Sequence, residues 1–476
     1  LMNVQTKIAD TANAGTPSIQ EQLADFAANT QHGDIPANVR TRAVHHMLDA
    51  AGIAMASTRY DFAHKTLAGF RALGDEGKVP VLGMAAHLNP RDAATMNGFL
   101  CHGLDYDDTH IAAIVHPTAS VMPAVLSAAA MTRGVTGQDM VTAYIIGVEV
   151  AARIGAGAKS QFHQVGYHPT GMVGIFGCVL AVGRILGLNT KQMQSAQGLA
   201  LSMASGSLQF LEDGAWNKRF HPGWAASSAI TAACLAREGF VGSSDPYDGR
   251  FGLYKSYLGL GPRMEQTDPS LATAGLGAVW ELMDTAIKPF PTCHFTHGAI
   301  DSALALRPQI NDPAAIADVT VKIGQGMHAV ICEPEANKKQ PANDYDAKFS
   351  VQYLVATAML RGRLTLDELE PDVLTDPEIL DLTSRVSYVD DPDTSFPEAY
   401  SGEVVVKMKD GREIGHREQV NRGAADRPLS NEEIIAKWRD NAAMLVNDGK
   451  VDRLQAAVLA LDTTEDGVGV FEAFAG

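Results

Sequence analysis

The sequence predicts a mainly α protein, a large all-helical domain joined to a smaller α+β domain, and three observations carry that prediction. Apolar residues recur at helical spacing from about Ser18 to Val279. After Trp280 the texture changes to β-branched alternating runs with short helical stretches between them. From Ser430 the helical pattern returns. These shifts divide the chain into residues 1–283, the first part of the helical domain; 284–426, an α+β lid; and 427–476, a C-terminal return to the helical domain.

The individual elements follow in order. Val44, Met47, Leu48, Ala51 and Met55 lie on one helical stripe. Thr136 is placed to cap a second helix carrying Met140, Tyr144, Val148 and Ala151. A third follows Pro169, and its Gly171, Gly174, Gly177, Ala181 and Gly183 suggest close helix-to-helix contact. Beyond Trp280, Asp318 to Ile323 and Gly402 to Met408 read as strands, the second followed by the turn signal Asp410-Gly411. Ser350 to Leu360 and Leu366 to Leu369 read as helical, and Ser430-Asn431-Glu432-Glu433 as a helix start for the segment that runs to about Leu461.

With 476 residues, 46% of them hydrophobic, the chain can bury a large core. Its formal net charge of -17 argues against general affinity for nucleic acid or an anionic membrane surface. An anionic ligand would therefore need a local basic pocket. The five cysteines are scattered without zinc or cluster spacing, so reduced thiols in a cytoplasmic protein are expected. Leu1 to Asp10 lacks the pattern of a secretory signal, and no unbroken apolar run is long enough to span a bilayer. GxGxxG, Walker, GxSxG and HExxH motifs are absent from the sequence.

Four segments concentrate titratable groups. In His102 to His110, three carboxylates crowd two imidazoles, with His116-Pro117-Thr118 close behind. Such crowding raises at least one carboxyl pKa unless cations or backbone donors intervene, which suits a general acid or base. A capping loop and a Mg²⁺ site are the other readings, although spaced carboxylates that would support the metal are missing. Gly166 to Gly171 repeats the His-Pro-Thr pattern, so two helix starts could converge on one ligand. Asn217 to Gly223 gathers Lys218, Arg219 and His221, as either a solvated turn or a basic wall. Lys288 to Gly298 falls at the domain boundary and brings a lysine beside Cys293, His294 and His297.

Taken in order, HGLDYDDTH, HPTAS, GYHPTG, NKRFHPGWAA and IKPFPTCHFTHGAID resemble the MmgE/PrpD family, as do DAKFSVQY at Asp346 to Tyr353 and the VVVKMKDG strand and turn. The family includes 2-methylcitrate dehydratase, cis-aconitate decarboxylase and iminodisuccinate epimerase. The resemblance implies a homodimer with a cleft between its domains lined by Asp105, His116, His168, Lys218 and Lys288, working without metal or organic cofactor on a small di- or tricarboxylate. Arg219, His221, Thr109, Thr170, Cys293 and His294 stand in the same motifs as substrate-binding candidates. A dehydratase is the leading expectation, with decarboxylation or epimerisation in the same pocket as alternatives. His116 or His168 would take the proton next to a carboxylate, and Asp105 would orient an imidazole or protonate the leaving hydroxyl. Cys293 stands where the resemblance implies histidine in decarboxylases, which weighs toward the dehydratase. A non-catalytic binding protein on the same scaffold is the outlying alternative.

Overall fold

The computed structural model describes residues 17–476, and the expectation concerning Leu1 to Asp10 lies outside them. Helices Ala37–Ser57, Pro90–Cys101, Pro117–Ala130, Gly137–Gly157, Pro169–Ile185 and Asn217–Arg237 build the first core. Thr136 caps its helix as the sequence predicts, accepting from the Asp139 amide while the Asp139 carboxylate accepts from the Thr136 amide. Such a cap is worth about 1 kcal/mol. The small residues set the crossing distances. A Cβ at Gly177 would collide with the Gly147 carbonyl, and one at Gly98 would lie 2.5 Å from the Gly223 Cα. The second contact presses helix Asn217–Arg237 against the end of helix Pro90–Cys101, so the start of one lies beneath the loop that leaves the other.

The second core lies between Ala286 and Ala424, joined by Ile111 and Phe210 from the first part of the chain. Its four-stranded sheet has the spatial order Val386–Asp390, Ile316–Ile323, Gly402–Met408, Glu413–Glu418. The first pair is parallel and the others antiparallel, with Asp410 and Gly411 in the hairpin between the last two strands. Val319, Val321 and Ile323 alternate inward. Helices His297–Leu306 and Val351–Arg361 pack against each other in this core. Their apolar faces cover the sheet.

Ser430 then forms a capping box with Glu433, starting helix Asn431–Ala443. Trp438, Ala442, Leu454 and Phe471 of this last segment are buried in the first core rather than the second.

Three details differ from the sequence reading. Leu366 to Leu369 is not α-helical: Asp367–Leu369 is a 3-10 turn. Strand Val386–Asp390 has no counterpart among the expected elements, because its exposed positions break the alternation that would announce it. Finally, helix Gly137–Gly157 is long and apolar enough to cross a bilayer by length and composition, yet 94% of its most apolar window is buried inside the protein. A core helix hydrophobic on all sides passes the same test.

Candidate active site

The loop after helix Pro90–Cys101 places Asp105 in the left-handed backbone region, with φ 54°. That conformation is uncommon outside glycine and is maintained here by the surroundings. Lys218, in the first turn of helix Asn217–Arg237, donates to Asp105 Oδ1 at 2.7 Å. Lys288, on the strand of chain passing between the two cores, donates to the same oxygen at 2.9 Å. All three residues are buried, and Asp105 Oδ2 has no protein partner.

Three imidazoles stand beside this group. His116 and His168 are the N-cap residues of helices Pro117–Ala130 and Pro169–Ile185, each followed by proline at the first helical position. The two helix starts converge as predicted. The His116 amide donates to Thr170 Oγ1 at 3.0 Å, and the rings lie 5.8 Å apart. His102 completes the cluster, 4.7 Å from His116 and 5.6 Å from His168 between ring centroids. Each ring is oriented through Nδ1. His116 Nδ1 donates to the Asp108 carbonyl at 2.8 Å, His102 Nδ1 meets both oxygens of Asp107, and His168 Nδ1 shares a 2.9 Å bond with His221 Nδ1. The Nε2 atoms of His102 and His168 are buried without protein partners.

Burial dominates the electrostatics. It pushes the pKa values of His102, His116 and His168 well below the usual imidazole range, so all three are neutral near pH 7. Burial also works against ionisation of Asp105, but Lys218 and Lys288 outweigh it and hold the carboxyl well below its ordinary value. Asp107 goes the other way, raised by burial to about 6. Asp105 and Asp107 are thus pushed in opposite directions, Asp105 down by its two lysines and Asp107 up chiefly by burial rather than by its crowded neighbours. Asp108 serves structure: His46 donates to it at 2.6 Å, and the Thr118 amide and hydroxyl also bond it.

These groups face a narrow cavity of about 50 Å³ between the cores. Asp105, Thr109, His116, His168, Lys218, Lys288, Cys293 and His294 are all in its wall. Three other candidates are not. Arg219 is stacked between the rings of Phe62 and Tyr345, 4.3 and 4.4 Å from their centroids, and its Nε donates to the Gly103 carbonyl. His221 and Thr170 stand behind His168 and His116. The structure brings none of the three to the cavity surface: Arg219 is turned into the core, His221 bonds the back of the His168 ring, and Thr170, on helix Pro169–Ile185, is occupied by the His116 amide. The solvated-turn reading of Asn217 to Gly223 fails with it, since Lys218 and Arg219 are buried.

Phe210, Phe295, Phe349 and Tyr400 supply an apolar wall that the sequence reading did not single out. Aromatic residues in a mainly helical chain carry no local mark of which cavity they face. His102 was within reach, standing in the same motif as Asp105. One ring nitrogen each of His102, His116 and His168 lie within 4.8 Å of one another, and neutral imidazoles are the donor form for a transition metal. Of these three, His116 and His168 also line the cavity.

Two family models match the chain. The model for the MmgE/PrpD N-terminal domain matches residues 21–265, and that for the MmgE/PrpD C-terminal domain matches 290–463. The chain belongs to the MmgE/PrpD family. Among MmgE/PrpD relatives, it is 25% identical over 473 residues to the cis-aconitate decarboxylase-like protein oryM of Aspergillus oryzae, covering 96% of this chain and 97% of that one. The human cis-aconitate decarboxylase is 28% identical over 94% of this chain and 93% of its own. The 2-methylcitrate dehydratase of Escherichia coli K12 is 25% identical over 83% of this chain and 84% of its own.

Proposed function

We propose that this protein is a lyase acting on a small tricarboxylate of the aconitate type, through proton transfer by its own side chains and without a cofactor. The observation that carries the reading is Asp105 held ionised between Lys218 and Lys288, facing His116 and His168 across a buried cavity. Two ammonium groups against one carboxylate leave positive charge for an anionic ligand. Lys288 has one N–H to spare beyond its bonds to the Asp105 carbonyl and carboxylate, and Lys218 has two beyond its bond to Asp105. These would hold substrate carboxylates.

Although Cys293 weighs toward a dehydratase, decarboxylation is the reading we favour, because the relatives named as decarboxylases align over 94–97% of this chain, against 83–84% for the dehydratases. The bond from carbon to one carboxylate breaks, carbon dioxide leaves, and the electron pair spreads into the neighbouring unsaturated acid. One proton delivered to carbon completes the step. Imidazoles that burial keeps neutral gain proton affinity when a polyanion enters the cavity, so His116 or His168 supplies that proton. An acid role for Asp105 is not supported, since its two lysines favour the carboxylate; it would orient and balance charge instead. Dehydration of a 2-methylcitrate-like acid is the second reading, with an ammonium or imidazolium as the leaving-group acid. A cytoplasmic homodimer belongs to the same proposal, and the exposed, stacked rings of Phe220 and Trp224 offer an apolar face for it.

The deciding experiment incubates purified protein, with chelator present, with cis-aconitate, 2-methylcitrate and other di- and tricarboxylates, followed by NMR. Carbon dioxide and an unsaturated dicarboxylate are expected from cis-aconitate. Water loss from 2-methylcitrate alone would move the assignment to the dehydratase, and no turnover of any acid would sink both readings.

A further inference from the structure

Four consecutive backbone carbonyls in the Asp105 loop are each met by a different buried cation. Arg219 Nε donates to Gly103 O at 2.7 Å, Lys348 Nζ to Leu104 O at 2.8 Å, Lys288 Nζ to Asp105 O at 2.8 Å, and Lys437 Nζ to Tyr106 O at 2.8 Å. They come from separate parts of the chain. Arg219 belongs to helix Asn217–Arg237 of the first core, and Lys348 ends the short helix Asp344–Lys348 of the second. Lys437 lies on the returning helix Asn431–Ala443, and Lys288 on the crossing between cores. Lys437 also pairs with Asp49 at 2.9 Å and lies 3.8 Å from the centroid of the Tyr106 ring.

Lys348 and Lys437 are absent from the cavity wall, so neither is placed to touch a ligand. A buried ammonium is costly to desolvate, and two of them directed at main-chain oxygens call for a reason. The reason lies in the loop itself. Asp105 occupies the left-handed region, and its carboxylate reaches both Lys218 and Lys288 only if that backbone conformation holds. With the flanking carbonyls held on either side, Leu104 O by Lys348 and Tyr106 O by Lys437, the loop loses the freedom through which it would relax.

We propose that Lys348 and Lys437 are positioning residues that lock the Asp105 loop, so that Asp105 is set for chemistry only when the second core and the C-terminal segment are docked on the first. Their effect passes through Asp105, and the proposal rests on the lyase reading above. The DAKFSVQY segment acquires a role by the same logic. Within it, Lys348 holds Leu104 O, the Lys348 carbonyl accepts from the Cys293 amide at 2.9 Å, and the adjacent Phe349 faces the cavity.

Lys348→Met keeps the length of the side chain and removes the donor. Hydrogen–deuterium exchange at the amides of Gly103 to Asp107, read beside circular dichroism, tests the lock without requiring any turnover. Faster exchange confined to this loop and to the segment around Lys348 is expected, with an unchanged helical signal. Turnover should then fall by about 100-fold in kcat with KM within a few-fold, the signature of misplacement rather than lost binding. Ethylamine added to Lys348→Ala should restore part of it, by supplying an ammonium in the vacated space. Loop exchange identical to the parent in folded Lys348→Met overturns the proposal, as does a loss confined to KM, which would make Lys348 a substrate contact.

Should Lys348→Met fail to fold, the parent protein and Lys437→Met still test the idea. Burial pushes Lys348 down to about 8, with Asp344 and Asp105 raising it and Arg219 and Lys288 lowering it. A neutral Lys348 amine donates more weakly to Leu104 O, so loop exchange corrected for its intrinsic rate should rise at alkaline pH, and Lys437→Met should loosen the same loop; parent-like exchange in folded Lys437→Met would contradict the lock. If the parent turns over none of the acids while the exchange behaves as expected, the lyase reading fails and the lock stands.

Discussion

Lys288 Nζ binds Asp105 twice, at the backbone oxygen 2.8 Å away and at carboxylate Oδ1 2.9 Å away, with neither side chain exposed. A single ammonium thus fixes both the loop and the charge it carries. Substituting Asp105→Asn leaves two buried lysines facing a neutral amide. Breaking a buried pair of this kind costs about 3–5 kcal/mol. A lower melting temperature and loss of turnover by about 1000-fold are expected, checked by calorimetry and by the NMR assay. Parent-like activity would remove Asp105 from the chemistry.

His168 offers a cleaner separation of activity from stability. Its Nε2 has no protein partner, so His168→Gln removes a free ring nitrogen rather than a structural bond, apart from the contact to His221. Turnover should vanish while the melting temperature shifts by only about 1 °C, about 1 kcal/mol for a chain of this size. Full activity in the variant would sink the assignment.

Acid should weaken the fold early. Burial lowers His102, His116, His168, His294 and His297 well below the usual imidazole value. The unfolded chain takes up their protons near pH 6.5 and the native one does not, so this stability is present above about 6.5 and lost as pH falls. Asp49 and Asp107, raised by burial to about 6, and Glu149, raised to about 7, work in the opposite direction. Their contribution is full below about 4 and declines as pH rises through 6 to 7. The five histidines outnumber the three acids, and denaturant midpoints should fall between pH 7 and pH 5. A midpoint that rises over that interval would show the acids to dominate.

The helix crossing beneath the site gives a test of geometry. A Cβ at Gly223 would run into the Thr95 carbonyl, which is backbone and cannot swing aside. Gly223→Ala should destabilise by at least about 1–3 kcal/mol and shift Lys218 away from Asp105. Both melting temperature and kcat should drop together, whereas Gly134→Ala, at an open surface turn with positive φ, should lower only stability.

Much of this architecture was legible in the sequence, and the physical reason differs by element. Thr136 and Ser430 announce their helices because a cap is a local arrangement between residues three apart. Asp105, His116, His168, Lys218 and Lys288 were legible through the ordered motifs that contain them, and the fold gathers all five around one cavity. Arg219 was misjudged because charge predicts exposure or a ligand, and nothing local reveals that Phe62 and Tyr345 sandwich it. Strand Val386–Asp390 escaped notice because a short exposed edge carries little alternation. Lys437 was invisible as well: its partner Tyr106 lies 331 residues earlier, and only the completed fold joins them.

That separation has a consequence for synthesis. A ribosome delivers the chain from its N-terminal side, so the Asp105 loop emerges long before Lys437 can reach Tyr106. The helices around it can condense during elongation, but the loop's last carbonyl waits for helix Asn431–Ala443 to be released. A nascent chain stalled before that helix would carry every side chain of the cavity wall and still lack the finishing bond. On the proposed reading, the Asp105 loop is therefore complete only after helix Asn431–Ala443 has been made and docked.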